Sequence, residues 1–144
     1  MIVVTREVLT RATPRVAFAY LSDFRNTTQW DPGTVTTVRR SGDGGIGTVY
    51  ENTSSFNGRT TELTYTVTDH VAPRRVTLRG ENATLEALDT ITVEPHDDGS
   101  LVRYQATFRF RSLLLRLAEP FLRPAFRRLG DEAEAGMRAA LAKL

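Results

Sequence analysis

Cysteine is absent from the 144 residues, which excludes disulfide scaffolds, thiolate zinc sites and cysteine nucleophiles. Long apolar runs are absent too, and nothing approaches the roughly 20 residues that a membrane-spanning helix needs. Lysine is nearly missing: Lys143 stands alone and the other cations are arginines. Lys and Arg total 19 against 17 Asp and Glu, a net charge of +2. That is too small to indicate a nucleic-acid partner, and none is expected. Residues 1–20 carry Arg6, Glu7, Arg11 and Arg15 without a continuous apolar stretch, which argues against a secretory signal and predicts a cytoplasmic protein. No nucleotide loop, nucleophile motif or metal-ligand spacing occurs, so neither a cofactor nor a metal is expected. What remains is ordinary: 40% hydrophobic and 25% charged residues, at a length suited to one domain over 1–144.

Local texture divides the chain into three parts. Ile2–Thr10 is rich in β-branched residues and reads as a strand. Thr13-Pro14 then starts a helix, with Thr13 as N-cap and Pro14 at the first helical position, and Ser22-Asp23 begins a second short helix towards Trp30. From residue 34 the segments near 34–40, 47–56, 60–70, 74–80, 84–94 and 101–110 alternate in polarity. Turn signals separate them, among them Asn57-Gly58 and Asp97-Asp98-Gly99, so they predict an antiparallel meander. With the first strand the sheet has seven strands. Beyond it Leu122, Phe126, Leu129, Ala133, Gly136, Met137, Ala140 and Leu144 fall within roughly 100° on a helical projection, the mark of one long amphipathic helix. Pro120 and Pro124 predict a kink or a late start. The helix needs an apolar partner, and the concave face of the sheet is the one surface large enough.

The order of one strand, two short helices, six strands and a long helix is the helix-grip layout, an α+β fold. Pro14-Arg15-Val16-Ala17-Phe18-Ala19-Tyr20-Leu21-Ser22-Asp23-Phe24, followed by Trp30-Asp31-Pro32, resembles the opening signature of the START-like (SRPBCC) superfamily. The resemblance is to its bacterial polyketide cyclase/dehydrase and lipid-transport branch. Asp89-Thr90-Ile91-Thr92-Val93-Glu94-Pro95, Gly99 and the closing helix with Leu129, Glu132 and Met137 are similar to the same family. The likeness covers about residues 2–143. It implies a deep cavity between sheet and helix that holds a hydrophobic small molecule, and it implies that Trp30 locks the short helices onto the sheet edge. Members include cyclases, carriers and receptors, so it names no ligand.

Alternation assigns the cavity wall. On the last strand Val102, Tyr104, Ala106, Phe108 and Phe110 share the inward face. On the preceding strand Leu85, Ala87, Asp89, Ile91 and Val93 do the same, which points a carboxylate inward. Leu63, Tyr65 and Val67, then Val76 and Leu78, extend the wall. The expected ligand-binding set is therefore Tyr65, Leu78, Asp89, Tyr104 and Phe108 from the sheet, with Leu122, Phe126, Leu129, Ala133 and Met137 from the helix. Asp89 is the single catalytic candidate. It reads either as an acid/base or ligand anchor with a raised pKa, or as a structural hydrogen-bonding group. The small residues Ala133, Gly136 and Ala140 read as leaving space for a ligand.

In a meander the turns alternate between the two ends of the sheet. Asn57-Gly58-Arg59, Gly80-Glu81-Asn82 and the exit into the final helix share one end, where the resemblance places the mouth. His70 and His96 lie by the opposite turns, which counts against histidine catalysis. Leu113, Leu114, Leu117 and Phe121 form a second apolar patch out of phase with the buried stripe. It reads as a cap over the sheet end, as a transient membrane contact through Leu114, Leu117 and Phe121, or as a homodimer face. Carriage or sensing of a hydrophobic or aromatic molecule is the leading function. A polyketide aromatase/cyclase-type enzyme and a protein- or membrane-interaction module are the alternatives.

Overall fold

The computed structural model describes residues 1–144. Its strands are β1 (Ile2–Thr10), β2 (Thr34–Ser41), β3 (Val49–Phe56), β4 (Arg59–Val71), β5 (Arg75–Glu81), β6 (Leu85–His96) and β7 (Gly99–Phe110). They form one seven-stranded antiparallel sheet in the order β1-β7-β6-β5-β4-β3-β2. The meander follows the turn chemistry. Asn57 and Gly58 both take positive φ, 53° and 79°, and connect the paired residues Phe56 and Arg59. A two-residue turn of that hand matches the twist of the flanking strands.

The expected first helix is α1 (Pro14–Ser22), and Thr13 Oγ1 caps it by accepting from the Val16 N–H at 3.4 Å. The second expected helix is divided. A 3₁₀ turn covers Phe24–Asn26, and α2 (Thr27–Trp30) follows. Asp23 causes the break: its backbone is extended, and its carboxylate accepts from the Arg25 N–H at 3.1 Å to cap the 3₁₀ turn.

The closing helix differs from expectation at its start. A short helix α3 (Leu113–Leu117) precedes α4 (Glu119–Leu141), and the break falls at Ala118, upstream of both prolines. Pro120 sits in the first turn, where a missing N–H costs nothing. Pro124 lies within the helix, and the carbonyl it leaves without a donor is that of Pro120, still in the first turn.

Two glycines set how α4 docks. A side chain on Gly130 would collide with Val4 of β1, where Arg6 also donates to Asp131 at 2.9 Å and to the Arg127 carbonyl at 3.2 Å. A side chain on Gly136 would collide with the Trp30 carbonyl at the end of α2. The expectation that Gly136 leaves room for a ligand is therefore corrected: backbone fills that room. Around these contacts Leu21, Trp30, Leu78, Ile91, Met137 and Leu141 are all 1% exposed or less, so this level of the fold is a solid core.

Candidate functional site

Nearer the α4 N-terminus the packing is not solid. A cavity of about 90 Å³ lies between the inner face of the sheet, α2 and α4. Alternation along β4, β6 and β7 brings Tyr65, Asp89, Tyr104 and Phe108 to its wall. Tyr65 is seated by its cross-strand partner Gly80, where a Cβ would come within 2.6 Å of the Tyr65 ring. Glycine in mid-strand weakens a strand, and here the aromatic ring takes up the space it leaves.

Aromatic rings close the space on several sides. Phe126 of α4 stands 4.7 Å, ring centre to ring centre, from both Phe56 and Phe108. Phe24 lies 4.9 Å from Tyr65, and Trp30 meets Tyr104 edge-on at 5.6 Å. These are ordinary separations for favourable aromatic pairs. Sites for drug-sized ligands usually enclose about 300–1,000 Å³. At about 90 Å³ the cavity takes a small ring as it stands. A larger guest has to move Phe126 and its neighbours.

The polar groups of the wall are few and unequal. Asp89 is buried, with its carboxyl pushed up to about 7, first by loss of hydration and then by the nearby Asp31 charge. The Tyr104 phenol is the one group that favours its charged form. Asp89 Oδ1 has no hydrogen-bond partner, nor has Trp30 Nε1, and both residues line the cavity. An unmet donor and an unmet acceptor in the interior are costly unless something fills the space between sheet and helix. At neutral pH the Asp89 carboxyl exists in both protonation states, so it can accept or donate a hydrogen bond.

Burial raises Asp31 as well. The Gly33 N–H at 3.1 Å and the Thr34 hydroxyl at 3.0 Å oppose that rise by stabilising its charge. Tyr65 and Tyr104 are pushed well above the ordinary phenol range, by burial first and by Asp89 second, so both remain neutral donors.

A second polar wall comes from β2, β3 and α2. Asn52 donates to Thr37 Oγ1 at 2.9 Å, the Thr37 and Thr27 hydroxyls are 2.6 Å apart, and Ser54 donates to Asn52 Oδ1 at 2.7 Å. Thr27, Asn52 and Ser54 line the cavity. This network is internally satisfied, so it shapes the wall without leaving an unmet polar group of its own.

Of the ten residues expected at the ligand site, Tyr65, Asp89, Tyr104, Phe108, Phe126 and Leu129 line the cavity. Leu78, Ala133 and Met137 are buried in the solid core, and Leu122 is half-buried; none of the four reaches the cavity. Sequence reasoning missed Asp31, Asn52 and Trp30 as wall residues. Asn52 had a signal: with Tyr50, Ser54 and Phe56 it keeps the period of two that marks one strand face. Arg59 does not line the cavity. His70 packs edge-on against Phe18 at 5.3 Å, also away from it. No group of three or more acidic or histidine side chains converges on a cation site.

A groove adjoins the cavity at Phe56 and Leu129, which line both, and it runs between the Asn57-Gly58 turn and Ala125, Arg128 and Glu132 of α4. The groove lies at the Asn57-Gly58 end of the sheet, the end where the mouth is expected.

A sequence profile described as "Polyketide cyclase / dehydrase and lipid transport" matches residues 1–144. No curated protein sequence matches the chain. Among solved structures the Zhui aromatase/cyclase from Streptomyces sp. R1128 aligns with a TM-score of 0.81 at 13% identity, covering 97% of this chain and 93% of that one. A START superfamily protein from Mycobacterium smegmatis aligns with a TM-score of 0.78 at 12% identity, covering 97% and 95%. The di-domain ARO/CYC BexL from the BE-7585A biosynthetic pathway gives 0.74 at 11% identity, covering 96% of this chain and 49% of that one. At such identities these similarities establish the helix-grip fold.

Proposed function

From a chain that belongs to the polyketide cyclase/dehydrase and lipid-transport family, we propose a carrier or sensor of a small hydrophobic or aromatic molecule bearing one hydroxyl or carbonyl group. Residues 1–144 act as one domain in this reading. The ligand's ring lies among Tyr65, Phe108 and Phe126, and its polar group meets Asp89. The observation that carries the reading is the unmet Asp89 Oδ1, which faces a cavity shared with Tyr65, Phe108 and Phe126. Apolar burial supplies affinity at roughly 25 cal/mol per Å², while the polar pairing supplies orientation.

The test is titration with an isosteric pair, phenol and toluene, followed by ligand-observed NMR. Phenol is expected to bind roughly tenfold tighter than toluene, because it alone satisfies the carboxyl. Asp89→Leu is expected to abolish that preference. Equal affinities for the two in the wild-type protein, or no binding of either, would overturn the reading.

The raised Asp89 carboxyl beside the Tyr104 phenol favours a second reading, an aromatase/cyclase-type enzyme. A group near 7 is poised for proton transfer at neutral pH, and a neutral phenol beside it can hold a developing oxyanion. Asp89→Asn separates the two functions. A carrier keeps its binding, whereas an enzyme binds its substrate and loses turnover.

A further inference from the structure

The exit from β7 carries an unusual surface. Leu113 is 71% exposed, Leu114 75%, Leu117 69% and Phe121 85%. At about 100° per residue, positions 113, 114, 117 and 121 fall on one side of a helix, so α3 and the first turn of α4 present one apolar face. Leu115 and Phe126 turn the other way and pack into the core. Capping the sheet end therefore uses only part of the apolar side chains here. The four most exposed cover nothing.

The unpaired charge of this segment has one sign, since Glu81 and Glu86 nearby are taken up by Arg79 and Arg111. Arg116, Arg123, Arg127 and Arg128 are exposed, and none belongs to an ion pair. Arg116 donates its Nε–H to the Phe110 carbonyl at 2.7 Å, which fixes that side chain beside the apolar face. Between Arg109 and Gly130 the only acidic residue is Glu119, and it is buried. A second copy docked through the same face would bring unpaired arginines against unpaired arginines, a repulsive pairing. An anionic lipid surface offers apolar depth for the leucines and negative charge for the arginines.

We infer that α3 and the start of α4 dock this protein on anionic lipid bilayers, with Leu113, Leu114, Leu117 and Phe121 inserted at headgroup depth and Arg128, on the same side of α4 as Phe121, on phosphates. The docking is peripheral and reversible, and it holds whatever the cavity carries.

The experiment is co-sedimentation of the full chain with phosphatidylglycerol/phosphatidylcholine vesicles, against vesicles of phosphatidylcholine alone. The expected result is binding to the anionic vesicles that weakens as salt is raised. The triple variant L114S/L117S/F121S is expected to lose about tenfold or more of that binding. Arg128→Gln is expected to weaken it roughly fivefold. All four side chains are exposed, so thermal melting should be unchanged and confirms that the variants are folded. F121W gives an independent readout: its emission shifts to the blue on vesicles, while Trp30, at 1% exposure, stays constant. Failure of the wild-type chain to bind anionic vesicles, or undiminished binding by the triple variant, would overturn the proposal. A dimer in sedimentation equilibrium that the triple variant dissolves, without vesicle binding, would overturn it in favour of a self-association face.

Discussion

The carbonyl oxygen of Trp30 rests against the α carbon of Gly136, so the end of α2 and the middle of α4 meet backbone to backbone. No side chain fits between them. Gly136→Ala is expected to destabilise the fold by about 1–3 kcal/mol despite alanine's better helix propensity, because the added methyl forces the two helices apart. Chemical denaturation would measure it. An unchanged or raised midpoint would mean that the contact is looser than described.

Asp89 makes stability depend on pH in an unusual direction. Its carboxyl sits at about 7 in the fold against an ordinary 3.8, so the native state holds the proton that the unfolded chain releases. Stability from this group is therefore greatest at low pH, falls as pH rises between about 4 and 7, and levels off above 7. Asp89→Asn is expected to flatten that decline and to raise stability at pH 8 by up to about 4 kcal/mol. Denaturation curves across pH would show it. A residual slope of the same sign belongs to Asp31, which burial also raises.

Phe126 separates the stability of the fold from the capacity of the site. It is 4% exposed and touches rings on β3 and β7. Phe126→Ala is expected to cost about 3–5 kcal/mol. The same change widens the cavity, so a bicyclic probe such as 2-naphthol should bind the variant more tightly than the wild type. Parallel melts and fluorescence titrations would compare the two effects.

Thr37 is the hub of the polar network on the β2–β3 side, bonded to both Asn52 and Thr27. Thr37→Val keeps the shape and leaves the buried Asn52 amide only its long 3.4 Å bond to Thr34 Oγ1 as donor, at an expected loss of about 1–3 kcal/mol. Hydrogen exchange should rise at Thr27 and Asn52 while β6 and β7 keep their protection.

Strand alternation made the sheet half of the site legible. Tyr65, Asp89, Tyr104 and Phe108 stand on the inward face that the period of two assigns them. The same rule also chose Leu78, which faces inward but one level away, where the layers are fully packed. Helical periodicity behaves alike: it groups Phe126 and Leu129 with Ala133 and Met137, and only the first pair reaches the cavity. Periodicity fixes a side chain's direction and says nothing of its height along the element. Gly136 shows a different blindness. A missing side chain reads as space until the Trp30 carbonyl from a distant segment is placed in it. Asp31 stands out in the sequence as part of the family-like Trp30-Asp31-Pro32 stretch, and its place in the cavity wall depends on tertiary structure that brings it towards Asp89. The family resemblance supplied what pattern alone did not, the existence of an interior space.

The sheet order has a bearing on how the chain emerges from the ribosome. Strands β3 to β7 each pair with the strand made just before, but β1 pairs only with β7, Ile2 opposite Phe108 and Thr10 opposite Ser100. The first strand synthesised therefore has no partner until nearly the last one exists. Through that interval Ile2, Val4 and Val8 stay uncovered, and α4, which docks on β1, cannot seat itself. Nascent chains of this topology carry an apolar strand in need of shielding for most of translation.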